Sequence, residues 1–116
     1  MKAYLPKFFS FKQANDLVRI GKDYDGGYLV SKSDIEKTDA LIGLGISDDW
    51  SFEEDLLSIK NIEVFAYDAS ISKKYFVKQI VESIIRLDKL KNFSYWVKKL
   101  FKYKKFFSQN NVNHIQ

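Results

Sequence analysis

Two apolar runs of strand length, Ala40-Leu41-Ile42-Gly43-Leu44-Gly45-Ile46 and Ile62-Glu63-Val64-Phe65-Ala66-Tyr67, bracket a segment of helical character. That segment opens Ser47-Asp48-Asp49-Trp50-Ser51-Phe52-Glu53-Glu54-Asp55-Leu56-Leu57. Acids crowd its front, where a helix dipole favours negative charge, and Ser51 stands three positions before Glu54, the spacing of a capping box. Asn61 breaks the helix before the second strand begins. A connection through one helix makes the two strands parallel, because an antiparallel pair needs only a tight turn. The chain is therefore α/β with a βαβ unit at its centre. Its first strand, apolar throughout with embedded glycines, reads as buried on both faces.

The flanks are of two kinds. Upstream, residues 8–20 are mixed, and Asp25-Gly26-Gly27 precedes the β-prone Tyr28-Leu29-Val30, which predicts a hairpin. Ser33 with Glu36 predicts a short capped helical turn. Downstream, Phe76/Val77, Ile80/Val81, Ile84/Ile85 and Leu87/Leu90 recur at helical spacing. After Asn92 the same spacing returns in Phe93, Trp96/Val97, Leu100/Phe101 and Phe106/Phe107, so residues 73–107 predict two amphipathic helices. Residues 108–116 are polar and suggest no closing element.

A length of 116 residues allows one domain, and the absence of cysteine excludes disulfides, thiolate metal sites and a cysteine nucleophile. One histidine, His114, leaves no multi-histidine metal site and no ready triad. No run approaches the ~20 apolar residues of a membrane-spanning helix. Pro6, Lys7 and Lys12 interrupt any signal-peptide core, so the expectation is a soluble, cytoplasmic chain without a transmembrane segment. Charge divides the sequence: residues 1–72 carry 8 basic and 13 acidic side chains, net −5, while residues 73–116 carry 11 and 2, net +9.

The residues that could carry chemistry lie at the strand ends. Gly43-x-Gly45-x-Ser47 stands at the carboxyl end of the first core strand, ahead of a helix, where open α/β sheets bind nucleotide-like ligands. Asp48 and Asp49 would repel a pyrophosphate, and the third glycine of the dinucleotide fingerprint is absent. Asp68, about twenty residues on at the end of the second strand, can accept hydrogen bonds from ribose hydroxyls. An adenosyl ligand without phosphates satisfies both observations. Each signal also has a purely structural reading: glycines pack closely, Asp48 and Asp49 cap a helix, and Asp68 forms a turn or an N-cap for which Ser70 and Ser72 compete.

Taken together, Arg19-Ile20-Gly21, Asp25-Gly26-Gly27-Tyr28, the stretch from Leu44-Gly45-Ile46-Ser47 through Asp48-Asp49-Trp50-Ser51-Phe52-Glu53, and Phe65-Ala66-Tyr67-Asp68 resemble the opening of FkbM-type S-adenosylmethionine-dependent methyltransferases. The resemblance covers roughly residues 17–70. It implies a Rossmann-like class I methyltransferase fold, S-adenosylmethionine as cofactor, and Gly43, Gly45, Ser47, Asp48 and Asp68 as the residues beside it, with Asp68 matching the acid that holds the ribose. It also implies transfer to a hydroxyl of a small molecule, sugar or other glycan. Two departures stand out: Ser47 occupies a position where such loops carry glycine, and Leu41 and Ile42, not an acid, precede Gly43.

A full methyltransferase sheet needs six or seven strands at ~30 residues per βα unit, far more than 116 residues supply. The expectation is a single incomplete domain, residues 1–116: a hairpin and cofactor-binding βαβ over 17–70, then basic helices over 73–107. The strands that would build the adenine pocket and the catalytic groups are missing, and no residue stands out as a catalytic base. An incomplete sheet leaves an edge uncovered, which implies a missing C-terminal half or a homo-oligomer. A competing reading takes residues 73–107 as a basic, aromatic-rich module for an anionic membrane surface or nucleic acid. Lys98, Lys99, Lys102, Lys104 and Lys105 would meet phosphates, and Tyr75, Phe93, Trp96 and Tyr103 would stack. Lysine faces are more often solvated and such aromatics more often core, and Arg86 is the one arginine there, so nucleic acid is not the expected partner.

Overall fold

The computed structural model describes residues 6–9, 13–86 and 90–116. Strands β1 (Leu17–Ile20) and β2 (Tyr28–Ser31) form the expected antiparallel hairpin, paired Leu17 to Ser31 and Ile20 to Tyr28. Its connection is held by the Arg19 guanidinium, which donates to the carbonyls of Lys22 (2.6 and 3.0 Å) and Tyr24 (3.0 Å). Helix α1 (Lys32–Lys37) follows at once. Its cap is not local: Asp16 Oδ2 accepts from the Ser33 N–H at 3.0 Å and from the Ser31 hydroxyl at 2.8 Å, so the acceptor is Asp16 rather than the Ser33/Glu36 pair.

Strands β3 (Ala40–Leu44) and β4 (Glu63–Tyr67) are parallel, in register Ala40 to Glu63 through Leu44 to Tyr67, and α2 (Ser51–Ile59) connects them. The predicted βαβ unit is present. The Ser51/Glu54 capping box is not formed; Ser51 is already the first helical residue, and Asp49 Oδ1 accepts its N–H at 3.1 Å. At the far end of α2, Lys60 donates to the last carbonyls around α1, those of Glu36 (2.6 Å) and Thr38 (2.7 Å).

Helices α3 (Lys73–Ile85) and α4 (Leu90–Phe106) form where the periodicity predicts two helices, and they pack against each other. Ser72 wins the competition to cap α3, accepting the Tyr75 N–H at 3.2 Å. The chain then departs from expectation. Residues 112–115 are no loose tail but strand β5 (Val112–Ile115), parallel to β4 in register Val64 to Val112, giving the sheet order β3-β4-β5. Asn111 secures its start, accepting the Val64 N–H at 2.8 Å and donating to Asn61 Oδ1 and the Ile62 carbonyl.

One face of the sheet carries the core. Val64, Ala66 and Val112 pack with Leu56, Phe76, Tyr103 and Phe106 from the helices and with Ile46, Trp50 and Ile71. Trp50 is the hub, with Phe76, Tyr103, Phe106 and Phe107 rings centred 5.9–6.4 Å away. The opposite face bears Ile42 (64% exposed), Leu44 (77%), Tyr67 and Ile115 in the open. The reading of residues 40–46 as buried on both faces is thus corrected: the connecting helices all cover the face of Val64 and Ala66, and alternation along β3 points Ile42 and Leu44 the other way.

Candidate functional site

Beyond Leu44 the backbone leaves the strand through Gly45, whose N–H still bonds the Tyr67 carbonyl at 2.9 Å. Gly45 has φ +67° and Ser47 φ +50°, both in the left-handed region. A serine there is strained. Asp68 holds it: Oδ2 accepts the Ser47 N–H at 2.6 Å, while Oδ1 accepts the Ser70 N–H at 2.7 Å and the Ser70 hydroxyl at 2.5 Å. One carboxylate at the end of β4 thereby ties the loop after β3 to the turn before α3. Ser47→Gly is expected to be tolerated without loss of melting temperature. Ser47→Val, β-branched at positive φ, is expected to lose about 1–2 kcal/mol in urea denaturation.

Burial pushes the Asp68 carboxyl up, but the hydrogen bonds from the Ser70 hydroxyl and the Ser47 N–H outweigh it, and the group lies below its ordinary value. A carboxylate has about four lone-pair positions, and three are engaged here. The Asp68 carbonyl accepts from His114 Nε2 at 3.0 Å, so that nitrogen carries the proton and Nδ1 accepts from the Tyr103 hydroxyl at 2.8 Å. His114 is a clamp between β5, α4 and the site loop.

The acids at the loop's exit are largely paired. Asp49 receives Lys22 Nζ at 2.8 Å; burial raises its carboxyl, and the bonds from Lys22 and Ser51 override this and lower it. Asp48 accepts from the Tyr95 hydroxyl at 3.2 Å and faces Lys99 Nζ at 3.7 Å, and Lys99 also donates to the Asp48 carbonyl. The repulsion that Asp48 and Asp49 would offer an anion is therefore mostly neutralised from β1's connection and from α4. Lys99 lies over the Trp50 ring at 5.0 Å, so it belongs to the packed interior rather than to a docking face. Tyr75 and Trp96 pack on the core and Tyr103 is within it, whereas Lys98, Lys102, Lys104 and Lys105 are exposed.

Between this loop and the hairpin lies an open cleft of about 370 Å³, lined by residues of 41–49 together with Asp25, Gly26, Tyr28, Phe52 and Glu53. Gly43, Gly45, Ser47 and Asp48 all line it; Asp68 does not, and reaches it through Ser47. The hairpin is docked over α2 by Gly21 N–H to Asp55 Oδ2 (2.9 Å) and by contacts of Ser51 with Lys22 and Gly26. The Asp-Gly-Gly block is thus a wall of the cleft. Its floor is Glu53, which the sequence did not single out: the residue is 6% exposed, and its Oε1 lies 2.8 Å from where a Gly43 Cβ would stand. Burial raises the Glu53 carboxyl; a bond to its own backbone opposes this, and the Asp49 charge adds to it.

Among the described residues, no group of three or more His, Asp or Glu could hold a metal ion, and no helix is long and apolar enough to cross a membrane. Comparisons of the chain with protein-family models, with curated proteins and with solved structures found no match.

Proposed function

We propose that this chain is the N-terminal, cofactor-binding part of an S-adenosylmethionine-dependent methyltransferase with a Rossmann-like sheet. Its complete form would methylate a hydroxyl of a sugar or other small metabolite. One observation carries the reading: a glycine-containing loop at the carboxyl end of β3 is pinned to an acid at the carboxyl end of the adjacent parallel strand, with an open cleft beside the loop. That is the crevice in which open α/β sheets take adenosyl ligands. The order β3-β4-β5, with all its connecting helices on one face, supports it as one half of a doubly wound sheet. The bare Ile42, Leu44, Tyr67 and Ile115 face supports a covering layer, either a C-terminal half or a second copy.

In this reading the Ser47 loop holds the methionine portion. Asp68 lies behind the cleft wall formed by Ser47 and would receive the ribose by exchange of the Ser70 hydroxyl. S-adenosylmethionine would supply an electrophilic methyl group, its carbon–sulfur bond breaking as the acceptor oxygen's bond to carbon forms, with S-adenosylhomocysteine leaving and the hydroxyl proton passing to water; the chain's own contribution would be to orient the cofactor.

Isothermal titration with S-adenosylhomocysteine tests this. Saturable one-to-one binding is expected, lost in Asp68→Asn and retained or tightened in Ser70→Ala, which removes the hydroxyl donor to Oδ1 and keeps the backbone N–H. A folded wild type that binds neither S-adenosylhomocysteine nor S-adenosylmethionine overturns the reading.

A further inference from the structure

Glu53 is the feature of the cleft that nothing in the fold accounts for. It sits in the first turn of α2, where the run Glu53-Glu54-Asp55 would pass for a solvated helix start. Instead its side chain turns inward under β3, occupying the room that Gly43 leaves by having no Cβ; any side chain there would meet Oε1 at 2.8 Å and the carboxyl carbon at 3.7 Å. The residue is more than nine-tenths buried and lines the cleft. Among the described residues, no side chain or backbone N–H of another residue donates to it, and no cation pairs with it. Asp48 and Asp49 by contrast have Lys99 and Lys22. Apart from the bond to its own backbone, the carboxyl meets no donor among the described residues of the cleft, and burial makes its charged form costly until one arrives.

We infer that Glu53 is the acceptor for a ligand ammonium group, so that the cleft takes the amino-acid end of an adenosyl amino-acid ligand with the ammonium on Oε1 beneath Gly43. This rests on the function proposed above and deepens it. The charge of a cation arriving at Glu53 would offset both the cost of burial and the repulsion from Asp49 that raise this carboxyl.

Two probes separate the ammonium from the adenosine. Methylthioadenosine carries the nucleoside without the amino acid, and S-methylmethionine carries ammonium and sulfonium without the nucleoside. Wild type is expected to bind S-adenosylhomocysteine at least tenfold more tightly than methylthioadenosine. Glu53→Gln is expected to erase that preference while leaving methylthioadenosine affinity unchanged. Independently of any variant, the Glu53 side-chain carboxyl ¹³C resonance of the wild type is expected to shift on addition of S-methylmethionine. Undiminished S-adenosylhomocysteine binding by folded Glu53→Gln overturns the role of Glu53 and leaves the methyltransferase reading intact. Glu53-dependent binding of S-methylmethionine without binding of either adenosyl compound upholds Glu53 as an ammonium site and removes the methyltransferase reading. A silent Glu53 resonance with no binding of any probe overturns both.

Discussion

Trp50→Ala is expected to lower the unfolding free energy by about 4 kcal/mol, the range for removing a fully buried tryptophan. The residue is 3% exposed and stands where α2, α3 and α4 converge. Phe106 stacks on it at 6.3 Å, Phe76, Tyr103 and Phe107 meet it edge to face, and Lys99 covers it at 5.0 Å. Each aromatic pair adds roughly 0.5–1.5 kcal/mol beyond area burial, so the loss exceeds that of an isolated ring. A single domain has about 5–15 kcal/mol in all, and this one substitution takes a large share. Urea denaturation followed by far-ultraviolet circular dichroism reads the effect as a fall in midpoint. Trp50→Phe is expected to lose less than half as much, because the ring contacts with Phe106 and Tyr103 survive in part. A loss under 1 kcal/mol for the alanine variant would mean that these aromatics do not form the core.

Asp68→Ala is the second large effect, about 3 kcal/mol at neutral pH: hydrogen bonds to a charged group are worth roughly 1.5–3 kcal/mol each, and the three lost here do not add in full because the released Ser47 and Ser70 donors regain water. Its pH dependence distinguishes this from simple loss of packing. The folded carboxyl lies below its unfolded value of about 3.9, so its stabilisation is fully present above that value and disappears as pH falls through the lower, folded one. Wild type and variant should therefore differ most at pH 6–7 and converge in the acid range below pH ~4. A difference that stays constant down to pH 2 would show that the ionised carboxylate is not what holds Ser47 and Ser70.

The central βαβ was legible because its information is local: apolar runs at 40–46 and 62–67, with a periodic helix between. The hairpin and the two long helices were legible for the same reason. β5 was not. Val112-Asn113-His114-Ile115 has two polar residues at its centre, and it is a strand because β4 offers it an edge and Asn111 and His114 find partners on the far side of the fold. Asp16, which caps α1, is separated from it by the whole of β1 and β2. Glu53 was hidden most completely: its burial depends on a missing methyl group ten residues earlier in the chain, a relation no helical or strand period encodes. Of the residues lining the cleft, Gly43, Gly45, Ser47 and Asp48 could be named from sequence, and Asp68 behind it, whereas the pairing of Asp48 and Asp49 with lysines could not.

The register of β5 has a kinetic meaning. Pairing Val64 with Val112 closes a loop about twice as long as pairing Ala40 with Glu63, a further cost of about 0.6 kcal/mol if the intervening chain is loose. The intervening chain is the α3/α4 hairpin, whose contacts are local and fast to form. Once folded, that hairpin brings residue 112 near residue 64 and removes most of the gap. The sheet is therefore expected to close in sequence, β3 with β4 around α2, then the helical hairpin, and β5 last. Disturbing the α3/α4 contact should slow folding, while weakening β5 should mainly hasten unfolding.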